Sequence, residues 1–348
     1  MNDPSQPSSP PDPIAQEILR ATAGSRKLYG FNDTHDPRTP ADFWFQESDE
    51  GRILFAVFYT QACRWSRCLG CNLPTRMSQH PVGFRLLMAQ VDALFAHPDV
   101  MICSDKLRKV IVSNNGSVLD QVTFSSTALI YLIAKLNLHL PRLAVLSLET
   151  RIEHVEIEEL EFIARALREG ETPTQLELAI GFEAFDNRVR NDIFRKGLQL
   201  HQFENLCRTI ARYRFHLKCY FMLKPIPGMT ADEAVSDIHR AIDYLSAQAR
   251  ACGVTLNLHL NPTYVAAGTV LEQHFRDGTY TPPTLRDTAR AALHAQGTPL
   301  TVFLGLSDEG LACPGGSFVQ PQEGPIVAQL EAFNRTQDYA ILRSVAGL

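Results

Sequence analysis

The feature that most constrains this chain is an alternation of short apolar runs with longer amphipathic stretches between residues 53 and 260. Ile53 to Tyr59 is an apolar run of strand length. Phe84, Leu87, Met88, Val91, Leu94 and Phe95 then recur at helical spacing, on one face of a helix that Pro98 closes. The pair of signals returns with a strand over Val110–Ser113 and a helical stripe of Leu129, Leu132, Ile133 and Leu136. A strand over Leu143–Leu148 precedes Leu160, Ile163, Ala164 and Leu167, a helix that Gly170 ends. Leu176–Ile180 is followed by two shorter helices near 187–194 and 203–213. His216–Leu223 leads to a helix in which Thr230 and Glu233 make a capping box and Ala234, Ile238, Ala241, Ile242 and Leu245 line the buried face. The sixth strand is Val254–Leu260. Strands alternating with helices fold as βα units on a parallel sheet. Six in series predict an α/β fold, an open or partial barrel whose working residues collect at the C-terminal ends of the strands.

The flanks are weaker in pattern. Residues 1–13 carry five prolines and three serines, a composition that cannot bury much surface, and disorder is expected there. A short helix is expected around Ile14–Thr22, and residues 30–50, rich in Asp and Pro, read as loop. Residues 1–45 are thus expected to be a disordered or extended segment, 46–283 the core, and 284–348 a small C-terminal extension beginning after Pro282 and Pro283. The extension should hold a helix near Leu285–His294, a strand near Leu300–Leu304 and a last amphipathic helix near Ile326–Leu342. With 45% hydrophobic and 20% charged residues the 348-residue chain has the composition of an ordinary soluble protein. Its net charge of −5 gives no general attraction to nucleic acid or to an anionic membrane. No apolar run approaches the roughly 18–20 residues that span a bilayer. The N-terminus has no basic start and no apolar signal region. Its eight cysteines are then expected as reduced thiols, and the cytoplasm as the location.

After the first strand comes YTQACRWSRCLGCNLPT, residues 59–75, with Cys63, Cys68 and Cys71 at C-x4-C-x2-C spacing. Three thiolates on one short loop can hold three irons of a [4Fe-4S] cube and leave the fourth iron open to a small molecule. Zinc also accepts closely spaced cysteines, but a structural zinc site wants four ligands, and His80 or Cys313 would have to complete it.

The loop resembles the cluster loop of radical S-adenosylmethionine (radical SAM) enzymes, where the usual spacing is C-x3-C-x2-C with an aromatic before the last cysteine. Here one extra residue lies between Cys63 and Cys68, and Gly70 stands in place of the aromatic. Longer first gaps occur in the branch with the elongator catalytic subunit, MiaB and NifB. The resemblance implies a partial (β/α)6 TIM-like barrel of the radical SAM type, with Cys63, Cys68 and Cys71 as ligands of a [4Fe-4S] cluster. It further implies that the open iron chelates S-adenosylmethionine, that reductive cleavage gives a 5′-deoxyadenosyl radical, and that this radical takes hydrogen from a substrate. A flavodoxin or ferredoxin type of electron donor is implied as partner.

Other stretches carry the resemblance with less specificity. Ser113, Asn114, Asn115 and Gly116, the turn after the second strand, stand where the family often has Gly-Gly-Glu against the methionine amino group. Val118, Leu119 and Asp120 follow that turn as in relatives of the archaeosine synthase radical SAM subunit. Glu149 and Arg151 stand at the end of the third strand, where a carboxylate can bind a ribose hydroxyl and an arginine a carboxylate. A solvated charged pair is the alternative. IGFEAFDNRVRNDIFRKGL, residues 180–198, is similar to a stretch of this branch, and the resemblance assigns Glu183 to cofactor or substrate, with Lys196 and Gly197 completing the pattern. Lys224 follows the fifth strand, and could touch a carboxylate or be a surface lysine. Asn261-Pro262 and Gly268-Thr269 follow the sixth as in archaeosine synthase relatives. Arg64, Arg67 and Arg76 flank the cysteine loop as either a functional charge cluster or a solvated rim. Cys207 reads as core, Cys313 as a thiol in an exposed turn. A tRNA base is the substrate that the nearest relatives suggest, against the acidic balance of the chain. The competing class is a non-enzymatic zinc-binding or cluster-binding scaffold or sensor.

Overall fold

The computed structural model describes residues 12–348. The disorder expected for residues 1–11 lies outside them. Asp12 and Pro13 open the first helix, α1 (Pro13–Gly24), with the Asp12 carboxylate accepting from the Ile14 and Ala15 N–H groups. Eight strands follow: β1 (Asp42–Ser48), β2 (Gly51–Val57), β3 (Leu107–Ser113), β4 (Val145–Thr150), β5 (Gln175–Glu183), β6 (His216–Leu223), β7 (Leu256–Pro262) and β8 (Thr301–Leu304). They form one sheet in chain order. β1 pairs antiparallel with β2, and each later pair is parallel.

The helices follow the same order. After β2 come α2 (Phe84–Ala96) and α3 (Pro98–Cys103); then α4 (Ser126–His139), α5 (Ile157–Ala166), α6 (Leu200–Ala211) and α7 (Ala231–Cys252) alternate with the strands. α8 (Val270–Arg276) and α9 (Leu285–Leu293) lie between β7 and β8, and α10 (Gly324–Thr336) and α11 (Tyr339–Ala346) end the chain. No single helix among the described residues is long and apolar enough to cross a membrane.

A strand sends alternate side chains to opposite faces. Leu54, Val110, Leu146, Leu178, Leu217 and Leu258 meet the helices in the main apolar core. The other face of the same strands is largely polar and forms the inside of the curled sheet. Its lower layer is charged. The buried Lys109 ammonium lies 2.6 Å from Glu50 and 2.9 Å from Glu177. Lys218 donates to Asn257 at 2.9 Å, and Asn257 to the Thr301 hydroxyl at 2.8 Å. Buried charges are tolerable only when paired in this way.

The sheet does not close. β1 and β8 are its two edges, and α10 packs against both. The Asn334 amide pairs with both the N–H (2.8 Å) and C=O (2.9 Å) of Leu304, and the Gln337 amide does the same for Val302. Side chains thus satisfy the free edge of β8, which would otherwise offer unpaired backbone groups.

Two expectations are corrected. Residues 30–50 are not all loop, because Phe43, Trp44 and Phe45 form β1, turning into β2 through Gly51 at φ +104°. The surrounding Asp and Pro had masked a short aromatic run that becomes a strand once β2 is beside it. The final helix is two helices, broken at Gln337 with φ +53°, where its side chain turns back to β8. The parallel sheet also runs past residue 284, since β8 adds a seventh parallel strand to the six βα strands expected.

Candidate active site

A cavity of about 260 Å³ opens at the C-terminal ends of the parallel strands. The inner-face residues there are Ser113 of β3, Glu149 of β4, Gly181 of β5, Tyr220 of β6, and His259 and Asn261 of β7. Cys63, Cys68 and Cys71 line the same cavity. A shallower groove with Arg165, Arg168, Arg212 and Arg214 lies by the connections that precede β5 and β6, and carries no thiol.

The cysteine loop is fastened on several sides. Lys27 donates to the Ser66 carbonyl at 3.0 Å, and the Tyr29 hydroxyl to the Cys71 carbonyl at 3.4 Å. Leu69 N–H donates to the Phe194 carbonyl at 2.9 Å, and Trp65 Nε1 to the Arg195 carbonyl at 2.8 Å. Asn72 reaches the carbonyls of Ala267 (3.2 Å) and Leu311 (2.8 Å). Gly116 lies against it as well, because a Cβ on that residue would stand 3.3 Å from the Cα and Cβ of Cys63.

Burial pushes the Cys68 and Cys71 thiols up, Cys71 to about 12, while Lys196 acts against it at Cys68 and Lys27 at both. Such thiols ionise where a metal centre or close cations stabilise the thiolate. Among the described residues no three His, Cys, Asp or Glu side chains converge on a point that one ion could fill. A cube asks for something different, because each thiolate binds a separate iron. Three half-buried thiols lining one cavity, with cations near them, fit that group. The two residues that could complete a zinc site lie elsewhere: neither lines the cavity. Cys313 is not in an exposed turn but is buried against Val265, Leu271 and Tyr280.

The remaining candidates divide. Asn115 and Gly116 line the cavity beside Ser113, but Asn114 does not; it is buried in the turn, where its amide faces the Ser117 carbonyl and Thr123. Val118 and Leu119 are core, and Asp120 pairs with Arg64. Glu149 lines the floor. Burial pushes its carboxyl up, against the pull of Ser113, Tyr220 and the nearby lysines. Arg151 lies with its guanidinium 4.2 Å from the centre of the Trp65 ring, paired to Glu153 and donating to the Lys196 carbonyl at 3.0 Å.

Glu183 sits past a register shift in β5 at φ +72° and pairs with Lys196 at 2.8 Å. A non-glycine residue held in this region marks a position that surrounding structure dictates. The segment between the two is held by Arg190, fully buried, whose guanidinium donates to the carbonyls of Ala184, Phe185 and Leu198. Gly197, at φ +74°, leaves the space that the Trp65 ring fills. Lys224 takes no part: it donates to Thr281 outside the cavity. Arg76 is tied to Asp42 at 2.7 Å, and Arg67 covers Trp65, so these arginines are structural neighbours of the loop rather than lining residues. Cys207 is core.

Sequence reading missed Trp44, Gln46, Tyr220, His259 and Glu309, all of which line the cavity. Tyr220 and His259 had a signal, being polar residues at alternate positions of otherwise apolar strands. Glu309 had none; it arrives from the loop after β8.

None of the known protein-family models matches the chain. In sequence it is similar to archaeosine synthase subunit beta of Methanosarcina acetivorans, at 27% identity over 239 residues. That match covers 67% of this chain and 64% of that protein, just under two thirds of its length. An uncharacterized protein of Methanocaldococcus jannaschii is 23% identical over 262 residues, covering 72% of this chain and 67% of that one. Among solved structures, the Elp3 protein of Methanocaldococcus infernus with an N-terminal deletion superposes with a TM-score of 0.45 and 13% identity, over 64% of this chain and 52% of that one. In its sequence and its cysteine loop the chain resembles archaeosine synthase subunit beta and, with it, the radical SAM superfamily.

Proposed function

We propose that this chain is a radical SAM enzyme, with Cys63, Cys68 and Cys71 as the protein ligands of a [4Fe-4S] cluster. One observation carries the reading. All three thiols of the loop line a single cavity at the C-terminal ends of the strands, with Lys27, Arg151 and Lys196 close to them. When bound, the cluster and S-adenosylmethionine supply the electron and the carbon-centred radical chemistry that no side chain can.

The chain's own residues bind, orient and exclude water. Cations near the thiols favour the thiolate form. Ser113, Asn115 and Gly116 present a turn with little side-chain bulk, where an amino acid moiety can approach the backbone. Lys196, oriented by Glu183, and Arg151, stacked on Trp65, are cations able to meet a carboxylate. A tRNA base is the substrate class that the likeness to archaeosine synthase suggests, and an external flavodoxin or ferredoxin the electron donor.

The test is anaerobic purification or reconstitution, with iron and sulfide analysis and spectra of the reduced protein before and after S-adenosylmethionine. About four irons per chain and a signal that shifts with the cofactor are expected. Zinc without labile sulfide would replace this reading with a metal-binding scaffold. A cluster whose signal ignores S-adenosylmethionine would leave a sensor or partner protein.

A further inference from the structure

Lys27, Lys196 and Arg151 gather near Cys68, and the lining also holds two carboxylates, Glu149 and Glu309, of which Glu149 raises the pKa of Glu309. The cations nearby are paired, Lys196 to Glu183 at 2.8 Å. Arg76 is bound to the Asp42 carboxylate and to the Glu309 carbonyl, and Lys218 donates to Asn257 in the layer beneath. Burial, then Glu149, pushes the Glu309 carboxyl up to about 7.

The cavity also has a flat apolar wall. Trp44 stacks on Phe55 with ring centres 4.3 Å apart and planes 9° from parallel, and both rings line the cavity. Around it are two polar atoms without a hydrogen-bond partner, Gln46 Oε1 and His259 Nδ1. His259 is 5% exposed, and burial together with Lys218 and Lys109 holds its pKa far below the usual value, so it is neutral. Buried polar atoms left unpaired are costly unless a ligand completes them.

We propose that this cavity binds the reacting molecule's flat organic cation, a ring lying on the Trp44–Phe55 wall with its protonated nitrogen facing the Glu309 and Glu149 carboxylates. This rests on the reading of the cavity as a substrate site and adds the class of substrate. A cation between the carboxylates relieves their mutual repulsion and gains cation–π attraction from Trp44. A neutral ring leaves the repulsion in place, and an anion increases it.

Three probes of one shape separate these cases: benzylamine (protonated), benzyl alcohol (neutral) and benzoate (anionic). Each is titrated calorimetrically into the full chain, purified anaerobically. Benzylamine is expected to bind at least about tenfold more tightly than the other two, the equivalent of one charge-assisted contact. Its binding should strengthen as pH rises through about 7, when Glu309 loses its proton. The groups that face Glu309 are Glu149 from β4, Asp42 from β1, Arg76 from the loop after β2, Asp308 beside it, Tyr220 from β6 and Tyr264 after β7. Glu309→Gln should remove the preference and the pH dependence while leaving benzyl alcohol unchanged. Trp44→Leu should weaken benzylamine and benzyl alcohol together. Equal binding of the three probes, or wild-type benzylamine binding by Glu309→Gln, would overturn the proposal. Iron is measured in the same sample, so failure of the cluster reading shows there and not in the probe titrations.

Discussion

Lys196 and Glu183 form their 2.8 Å ion pair directly over Gly181, where a Cβ would lie 2.3 Å from the Lys196 nitrogen and 2.4 Å from the Glu183 carboxylate. The pair exists because residue 181 has no side chain. Both clashing groups are the far ends of flexible side chains, so Gly181→Ala should fold and melt within a few degrees of wild type. Its consequence is displacement of Lys196 from the cavity wall. Calorimetric titration with S-adenosylmethionine should show at least about tenfold weaker binding, with iron content unchanged.

Trp65 depends on Gly197 in a different way. A Cβ there would stand 2.6 Å from the ring, and the backbone is at φ +74°. Gly197→Ala has to move a bulky ring that is bonded to Arg195 and also adopt a left-handed conformation. A cost of about 2 kcal/mol is expected in denaturant melts, with a change in the near-ultraviolet tryptophan signal.

The Glu309 carboxyl gives a pH signature. Its folded pKa of about 7 is above its ordinary value of 4.5, so between those pH values the folded state holds the proton that the unfolded state has lost. This group's contribution is fully present below pH 4.5 and is lost as pH rises through 7. Glu309→Gln should therefore match wild type near pH 5 and exceed it near pH 8 by roughly 1–3 kcal/mol, measured by urea unfolding at both pH values.

Asn334 satisfies the free edge of β8. Asn334→Ala leaves the Leu304 N–H and C=O without partners in a buried place, at a cost of about 2–4 kcal/mol. Gln337→Ala, nearer the surface, should cost less. Thermal melts of the two variants, compared with an exposed control such as Arg335→Ala, decide whether α10 seals the sheet or merely rests on it.

Cys313 and Cys207 test the ligand assignment. Both are buried in apolar clusters away from the cavity. Cys313→Ser and Cys207→Ser should keep the full iron complement, whereas Cys63→Ser, Cys68→Ser or Cys71→Ser should each lose most of it. Iron loss in Cys313→Ser in a chain that melts normally would require a different ligand set.

The βα order is legible in the chain alone. Strand-length apolar runs and helical stripes such as Leu129–Leu136 are local signals, and the helices between strands leave few ways to pack them other than a parallel sheet. The sequence also put the cysteine loop after β2, Glu149 near the end of β4 and Glu183 at the end of β5, and all of them line the cavity. Tertiary structure decided the rest. Phe43–Phe45 becomes a strand only beside β2, and the last helix breaks only because Gln337 finds the edge of β8. Glu309 belongs to the cavity because the loop after β8 is brought beside β1 and β4, a contact between residues far apart in sequence. The charge of a loop residue is legible in sequence, but the field it will meet is set by which strands the fold lays next to it.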